Sequence, residues 1–421
     1  MRRLGHSPFR NRIRGFGYFR RLGPGMITGA SDDDPSGIGT YSQVGAAFRF
    51  DLLWTALLTL PLATAVQETT GRLALTTGKG LAALIRERFP RPILLVAVAL
   101  VTVANVFNLG ADIGAMASAT QLLVPLHHAI LVVAFTLVIL GLEVFLPYRS
   151  YAKILRWLCV SLGAYILVLF FVGPDWGTVL LRTFVPRAGL DPATLAALIA
   201  ILGTTISPYL FFWQAGEEVE EEIEHHEPNR LSDSHIRTMR VDTFSGMFSA
   251  VAVMWAIMVA SGATLGAKGM TTVQTATQAA EALRPLAGQF ASLFFTLGIV
   301  GTGLLAVPVL AGSAGYAIAE TAGWREGLSK RFKQAPGFYL AVVAAMLVGL
   351  ALNFSGINPI RALYWAAILN GLAAPPLLLL MLVLGNSKSI LGDRTSGRVS
   401  NTLVATALVL MTVLPILYLL R

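Results

Sequence analysis

Three adjacent carboxylates, Asp32, Asp33 and Asp34, lie in an otherwise apolar stretch and are followed directly by Pro35. Charge inside a membrane is costly, and it usually marks an ion or proton path. A proline interrupts a helix and leaves backbone carbonyls free to coordinate a cation. The segment 29–40 therefore has the chemistry of a cation site, and Asp34, next to the break, is its main candidate ligand.

Asp34 also has an ordinary structural interpretation. An Asp followed by Pro is a common helix start, with Asp as the N-cap and Pro as the first helical residue. Because a run of apolar and small residues precedes Asp34 in the same segment, we favour the ligand over the simple cap. Asp32 and Asp33 either line an outer vestibule or form a solvated helix end.

A second interruption follows at residues 203–209. Pro208 has no N–H to donate to Thr204, so the Thr204 carbonyl becomes available, and Ser207 adds a hydroxyl. The alternative is a proline kink without a ligand, which is common in membrane helices. We predict that Thr204 and Ser207 contribute to the same cation site as Asp34.

The composition is that of a polytopic membrane protein. Of 421 residues, 55% are hydrophobic and only 13% are charged, about half the charged share of a soluble domain. The single cysteine, Cys159, excludes a disulfide framework, and the six histidines lack metal-ligand spacing. We therefore expect no cofactor, no nucleic-acid partner and no enzymatic activity, and an intramembrane enzyme is a poor alternative.

A helix needs about 20 apolar residues to cross a bilayer, and about eleven segments meet that need. We predict an all-α fold with spans at 23–47, 52–73, 92–124, 128–147, 151–173, 193–216, 241–262, 288–321, 336–353, 360–385 and 401–420.

Positive charge predicts the orientation of these spans. The first 22 residues hold seven arginines, and with this end in the cytoplasm 25 of the 32 basic residues fall on the inner side. We expect residues 1–22 to be a basic cytoplasmic tail, the protein to lie in a bacterial-type plasma membrane, and the functional unit to be a monomer.

The two interrupted spans are the first and the sixth. Spans 1–5 and 6–10 are therefore equivalent, and an odd number of spans in each half gives the halves opposite topology. We predict two inverted repeats, at 23–173 and 193–385, with 401–421 as an extra helix. Transporters built in this way bind their substrate between the two broken helices.

Further polar residues lie in the third predicted span and directly after the sixth. Asp112 and Asn108 form one polar face of the third span together with Asn105, which either lines a vestibule or hydrogen-bonds between helices. An acidic run at 217–227 follows the sixth span. Its members Glu217, Glu218 and Glu221 either face the pathway or belong to a solvated loop.

The sequence resembles the Nramp family of divalent metal transporters over spans 1 to 10. Gly23-Pro24-Gly25, followed by Asp34-Pro35-Ser36-Gly37, is similar to that family's first helix, whose break reads D-P-G-N. Ser207-Pro208-Tyr209 lies where the family reads M-P-H. The resemblance implies an inverted repeat of the LeuT type, with metal ligands at Asp34, Gly37, Thr204 and Ser207.

Taken together, the residues that differ from the family's motif change the site away from ligands that select soft metals. The family's Asn, Met, two His, Glu and Gln are replaced here by Gly37, Ser207, Tyr209, Gln214, Ala115 and Ala367, whereas the Asp of its third helix is kept as Asp112. A hydroxyl does not select soft metals as a thioether does, and Mg²⁺ is commonly held by one or two carboxylates through its water shell.

The resemblance therefore implies transport of partly hydrated Mg²⁺, and of Mn²⁺, with weak or no proton coupling. This pattern looks like the Nramp-related magnesium transporter branch. Proton-coupled transport of Mn²⁺ or other transition metals is the first alternative. A Na⁺-coupled carrier of organic solutes is less favoured, because Asp34 would repel an anionic substrate. The sequence does not distinguish a transporter from a channel.

Overall fold

The computed structural model describes residues 23–146, 163–187, 189–224 and 233–421, and its regular structure is helical throughout. The α-helices are α1 Pro24–Asp32, α2 Pro35–Phe48, α3 Trp54–Thr77, α4 Leu81–Arg88, α5 Arg91–Thr120, α6 His128–Phe145, α7 Gly163–Val172, α8 Trp176–Phe184, α9 Pro192–Thr205, α10 Pro208–Glu224, α11 Asp233–Thr264, α12 Ala276–Ala280, α13 Arg284–Ala287, α14 Ala291–Ala322, α15 Pro336–Leu352, α16 Pro359–Gly385, α17 Lys388–Leu391 and α18 Arg398–Leu419.

The all-α class is confirmed. The predicted tail 1–22, the first part of the predicted span 151–173 and the end of the acidic run 217–227 lie outside the described residues.

Helices occupy the described part of all eleven predicted spans. Within these residues, seven helical segments are long and apolar enough to cross a membrane, and α7 and α15 are shorter apolar helices. The other two spans contain the interrupted pair α1–α2 and the helix α3. The helix α3 is less apolar because Gln67, Glu68 and Arg72 lie in its C-terminal half.

The broken helices pack directly against two continuous helices. Both α1 and α2 contact α11, and α9 contacts α16. A Cβ at Gly29 would lie 2.2 Å from the carbonyl carbon of Gly246, and one at Gly203 would lie 2.1 Å from the carbonyl oxygen of Ala367. Small residues permit such close helix contact within a membrane. The two breaks are therefore fixed by backbone-to-backbone packing.

The sixth span is longer than the sequence predicts. The sequence predicts an end near residue 216, but α10 continues through the first part of the acidic run to Glu224. The carboxylate of Glu220 accepts hydrogen bonds from the backbone N–H groups of Leu328 at 2.8 Å and Ser329 at 2.9 Å. These bonds help hold the acidic helix end against the loop that follows α14, so the solvated-loop interpretation is wrong for its described part.

Candidate cation site at the two helix breaks

The first break separates α1 from α2 at Asp33 and Asp34. Asp34 is the N-cap of α2, and its Oδ1 accepts hydrogen bonds from the Gly37 N–H at 2.7 Å and the Ser36 hydroxyl at 2.6 Å. Pro35 is the first helical residue. The cap considered from sequence is therefore present. It does not exclude a role in ion binding, since the capping carboxylate is only 1% exposed in the bundle interior.

The second break separates α9 from α10. The Ser207 hydroxyl lies 2.6 Å from the carbonyl oxygen of Gly203 and 2.7 Å from that of Thr204, and it donates to these two acceptors. The Thr204 carbonyl, expected to be free, is thus hydrogen-bonded to Ser207. Because a carbonyl oxygen has two lone pairs and a hydroxyl can also accept, both groups retain capacity for a cation.

Two tyrosines join the breaks. The Tyr209 hydroxyl donates to the Ser31 carbonyl at 2.9 Å and lies 3.4 Å from Oδ2 of Asp34. The Tyr41 hydroxyl lies 3.1 Å from Oγ1 of Thr205. Both tyrosines are fully buried. The two breaks, far apart in sequence, therefore meet at one place, as the pairing of spans 1 and 6 predicts.

Gly37 lies at the contact between the breaks. Its N–H is directed to Asp34, and a Cβ on it would be 3.5 Å from the Thr204 hydroxyl and 3.0 Å from the Asp32 carbonyl oxygen. Gly37 therefore has no side-chain oxygen to offer an ion. What it provides is space between the carboxylate and Thr204.

A third helix contributes the amide of Asn108. Its Nδ2 donates to Oδ2 of Asp34 at 3.0 Å, so α5 also contacts the site. Asn105, on the same face, donates instead to α14, at the Leu310 carbonyl and the Ser313 hydroxyl. Both asparagines of this face thus make interhelical hydrogen bonds, Asn105 to α14 and Asn108 to the candidate ligand, and the lining of a vestibule stays a prediction.

Other carboxylates surround Asp34. Asp32, Asp33 and Asp112 are buried. Among the described residues neither side-chain oxygen of Asp32 has a hydrogen-bond partner, whereas the Asp112 carboxylate faces the backbone N–H of Ser36. No group of three His, Cys, Asp or Glu side chains in the described chain is arranged to hold a metal ion. A cation here would be bound by one or two carboxylates together with hydroxyl and carbonyl oxygens.

The remaining predicted pathway residues lie along α10, beyond the break. Gln214 donates to the Thr243 hydroxyl at 3.0 Å, and Glu217 accepts from the Tyr316 hydroxyl at 3.4 Å. Glu218 is buried beside Gln214, with Glu221 close to it. These side chains form a continuous polar strip from the break toward the acidic end of the helix.

Asp242 belongs to this strip and was not predicted. It projects from α11, accepts hydrogen bonds from the N–H groups of Gly23 at 3.3 Å and Met26 at 3.1 Å, and lies near Glu218. It thereby caps α1, whose own N-cap residue, Gly23, has no side chain. An acidic residue inside the seventh predicted span was the available signal, since intramembrane charge usually has a function.

Comparison with known proteins identifies the family. The family described as "Natural resistance-associated macrophage protein-like" (Nramp) matches residues 25–421. The chain is 27% identical over 398 residues to the divalent metal cation transporter MntH of Verminephrobacter eiseniae, covering 91% of this chain and 85% of that protein. It is 23% identical over 413 residues to the MntH of Caldanaerobacter subterraneus subsp. tengcongensis, covering 94% and 92%.

Solved structures share the fold. The manganese transporter of Eremococcus coleocola superposes with a TM-score of 0.74 at 18% identity, covering 98% of this chain and 87% of that one. Mhp1, a nucleobase-cation-symport-1 family transporter, superposes in its closed conformation with a TM-score of 0.59 at 16% identity, covering 95% of this chain and 92% of that one. The predicted LeuT-type fold is confirmed. The chain is therefore a membrane transporter rather than an enzyme, and it belongs to the Nramp family of divalent metal transporters.

Proposed function

We propose that this protein carries Mg²⁺, and also Mn²⁺, across the membrane through the contact between the two helix breaks, with weak or no proton coupling. The observation that carries the proposal is Asp34, a buried carboxylate held where three helices meet. The relatives are named as divalent metal cation transporters, which agrees with a cationic substrate.

The ligand atoms offered at the two breaks favour a hard ion, because all are oxygens: the Asp34 carboxylate, the Thr204 carbonyl and the Ser207 hydroxyl. The N–H groups of Gly37 and Asn108 hold the Asp34 carboxylate in place and are not ligands themselves. The Ser207 hydroxyl takes the position of a thioether in the family's motif, and Gly37 leaves space for water on the ion. Mg²⁺ is usually bound by few carboxylates and keeps several waters, whereas soft thioethers select transition metals.

Binding requires the hydrogen bonds at Asp34 to be exchanged for ion contacts. Oδ2 accepts from Asn108 and is close to Tyr209, so these two side chains must move or share the oxygen when a cation arrives. The Thr204 carbonyl and the Ser207 hydroxyl then complete the shell from the other break. In this scheme Asp34, Gly37, Thr204 and Ser207 form the site, and Asp32, Asp33, Asp112, Tyr209 and Gln214 line the approach.

In this proposal the polar strip along α10 forms the inner mouth of the ion pathway. Glu217, Glu218 and Glu221 carry negative charge toward the break, and a row of such charge raises the local concentration of cations. The orientation with the amino terminus in the cytoplasm, the repeats 23–173 and 193–385, the additional helix 401–421 and the monomeric unit are part of the same proposal. The orientation rests on loop charge, and the two repeats rest on the spacing of the breaks.

Proton-coupled transport of Mn²⁺ is the second candidate. The manganese transporter of Eremococcus coleocola shares the fold, and Asp32, Asp33 and Asp112 are buried acids that could carry a proton. We favour weak coupling because Tyr209, Gln214 and Ala115 replace the titratable groups of the family's pattern.

Transport by the reconstituted protein tests the proposal. Mg²⁺ and Mn²⁺ influx into proteoliposomes is measured with Ca²⁺ as competitor and with a pH-sensitive dye inside, for the wild type and Asp34→Ala. We expect influx of both ions in the wild type only, with little acidification. Mn²⁺ influx without Mg²⁺ influx would refute the magnesium assignment. Acidification that accompanies Mg²⁺ entry and disappears in Asp34→Ala would refute weak coupling. Absence of any divalent influx would refute the function as a whole.

A further inference from the structure

A groove on the outer surface of the bundle lies away from the helix breaks. It is a cavity of about 650 Å³ formed by α3, α11 and the start of α18. Its lining consists of Leu60, Pro61, Thr64, Ala65, Glu68, Arg72, Arg240, Phe244, Gly397, Arg398, Val399, Ser400 and Leu403. We call it the α3–α18 groove.

The α3–α18 groove is apolar at one end and basic at the other. From Leu60 to Arg72 it follows α3 for roughly 18 Å at the helical rise of about 1.5 Å per residue. Leu60, Phe244 and Leu403 line the apolar part. Arg72, Arg240 and Arg398 lie at the other end, so the groove has the polarity of an amphiphile aligned with the helices.

The three arginines lie at the expected depth of lipid headgroups. Arg72 is at the end of the predicted span 52–73, Arg240 immediately precedes the span 241–262, and Arg398 precedes the span 401–420. Basic residues between transmembrane helices near the cytoplasmic surface are a recognised pattern for binding anionic lipid headgroups. In the proposed orientation, this end of the groove faces the cytoplasmic leaflet.

The charge at this end is only partly neutralised. Glu68 pairs with Arg72 at 3.1 Å and with Arg240 at 2.9 Å. Arg72 is buried, and its Nε and both of its Nη atoms donate hydrogen bonds, to Glu68, the Arg394 carbonyl and the Ser396 hydroxyl. The Arg240 side chain is 56% exposed and donates to Glu68 through Nε, and Arg398 is exposed beside it. The charged lining at this end consists of the Glu68 carboxylate and three arginines, so its net charge is positive.

The apolar end is open to the lipid chains. Phe244 is 50% exposed on the face of α11 and stacks with Phe248, which is 55% exposed, at a centroid distance of 6.1 Å. Side chains with this exposure on a membrane-spanning helix contact acyl chains. A molecule in the groove can therefore enter laterally from the bilayer.

We propose that the α3–α18 groove binds one anionic phospholipid of the cytoplasmic leaflet, with its phosphate at Arg240 and Arg398 and an acyl chain along Leu60, Phe244 and Leu403. The charge complementarity favours this occupant over a zwitterionic lipid. The length and lateral opening favour a lipid over a soluble anion. The site is separate from Asp34, and its test does not depend on transport.

Binding is measured by native mass spectrometry of the full chain in detergent, titrated with phosphatidylglycerol, phosphatidylcholine or inorganic phosphate. We expect one phosphatidylglycerol to be retained in preference to phosphatidylcholine. Arg398→Gln and Arg240→Gln should each weaken this binding about fivefold, the effect of one basic residue near an anionic membrane surface. Arg331→Gln, an exposed arginine outside the groove, is the matched control and should bind as the wild type does.

Two further results decide the nature of the site. Thr64→Trp, which fills the apolar part and leaves every arginine in place, should also weaken phosphatidylglycerol retention. Arg398→Gln does not touch the Glu68 pair, so its thermal unfolding should match the wild type and exclude misfolding as the cause. Equal retention of both lipids, retention of phosphate alone, or occupation of the groove by a second copy of the chain would overturn the proposal.

Discussion

The hydroxyl of Tyr209 lies 3.4 Å from Oδ2 of Asp34 while it donates to the Ser31 carbonyl at 2.9 Å. One side chain of α10 thus contacts both the candidate ligand and the last turn of α1. This contact crosses from one broken helix to the other, and it occupies an oxygen that a cation needs. Tyr209 is therefore placed to oppose ion binding and to hold the two breaks together.

Removing that hydroxyl should strengthen ion binding. In Tyr209→Phe, the hydrogen bonds that compete with the ion are lost, and a net contribution of about 1 kcal/mol corresponds to roughly fivefold tighter Mg²⁺ binding. Isothermal titration of the purified protein measures this. Tyr339→Phe, which removes a hydroxyl bonded to the Lys330 carbonyl, is the control and should not change the affinity. Weaker Mg²⁺ binding in Tyr209→Phe would instead assign the hydroxyl to the ion's own ligands.

Position 207 should determine the preference between hard and soft ions. Ser207→Met introduces a thioether beside the freed carbonyls and should raise the Mn²⁺ to Mg²⁺ ratio of influx, because sulfur favours softer metals. Ser207→Ala separates the two effects of that change, since it removes the hydroxyl bonds to Gly203 and Thr204 without adding sulfur. An unchanged ratio in Ser207→Met, or the same ratio in both variants, would show that residue 207 does not contact the ion.

The packing of α1 on α11 should be intolerant of a single methyl group. A Cβ at Gly246 would lie 2.2 Å from the Gly25 carbonyl oxygen, so Gly246→Ala must displace backbone and should destabilise the protein by about 1–3 kcal/mol. Gly141→Ala, in α6, meets nothing within 4 Å and should be neutral or slightly stabilising. Thermal unfolding in detergent compares the two, and equal midpoints would contradict the close contact.

Stability should depend on the protonation of Glu326, which lies in the loop after α14. Burial, followed by the nearby charge of Glu320, raises its pKa from the ordinary 4.5 to about 9. The folded state then holds a proton that the unfolded state releases, so stability is greatest below the ordinary pKa and falls as the pH rises toward 9.

Two Glu→Gln variants isolate the contribution of the Glu326 carboxyl group to the pH dependence of stability. Between about pH 6 and about pH 8.5 the unfolding midpoint of the wild type should fall more than that of Glu326→Gln. Glu87→Gln serves as the control, because Glu87 is an exposed partner of Lys79 and should leave the wild-type pH dependence intact. The same pH dependence in Glu326→Gln and the wild type would contradict the assignment.

The local sequence predicts the two helix breaks but not the side-chain contacts between them. Pro35 after Asp34 and Pro208 after Ser207 are sufficient to predict where the helices end, because proline acts on its own turn. That Tyr209 and Asn108 meet at Asp34 depends on how three helices are rotated against one another. No local pattern specifies that rotation, so these contacts appear only in the folded chain.

The acidic residues of α10 show the same limit of prediction from local sequence. Consecutive glutamates beside a helix C-terminus oppose the helix dipole, which is why a solvated loop was a reasonable alternative for residues 217–227. The hydrogen bonds from Leu328 and Ser329 to Glu220 come from a segment more than 100 positions away. Asp242 was available from sequence as an isolated intramembrane acid, but its function as the cap of α1 was not.

The central claim is that the charge of Asp34 binds the transported cation. Asp34→Asn tests it most directly, because asparagine also accepts at an N-cap and so should keep α2 intact. We predict that this variant unfolds at nearly the wild-type temperature but lacks Mg²⁺ and Mn²⁺ influx in proteoliposomes. Influx at the wild-type rate from folded Asp34→Asn would contradict the account.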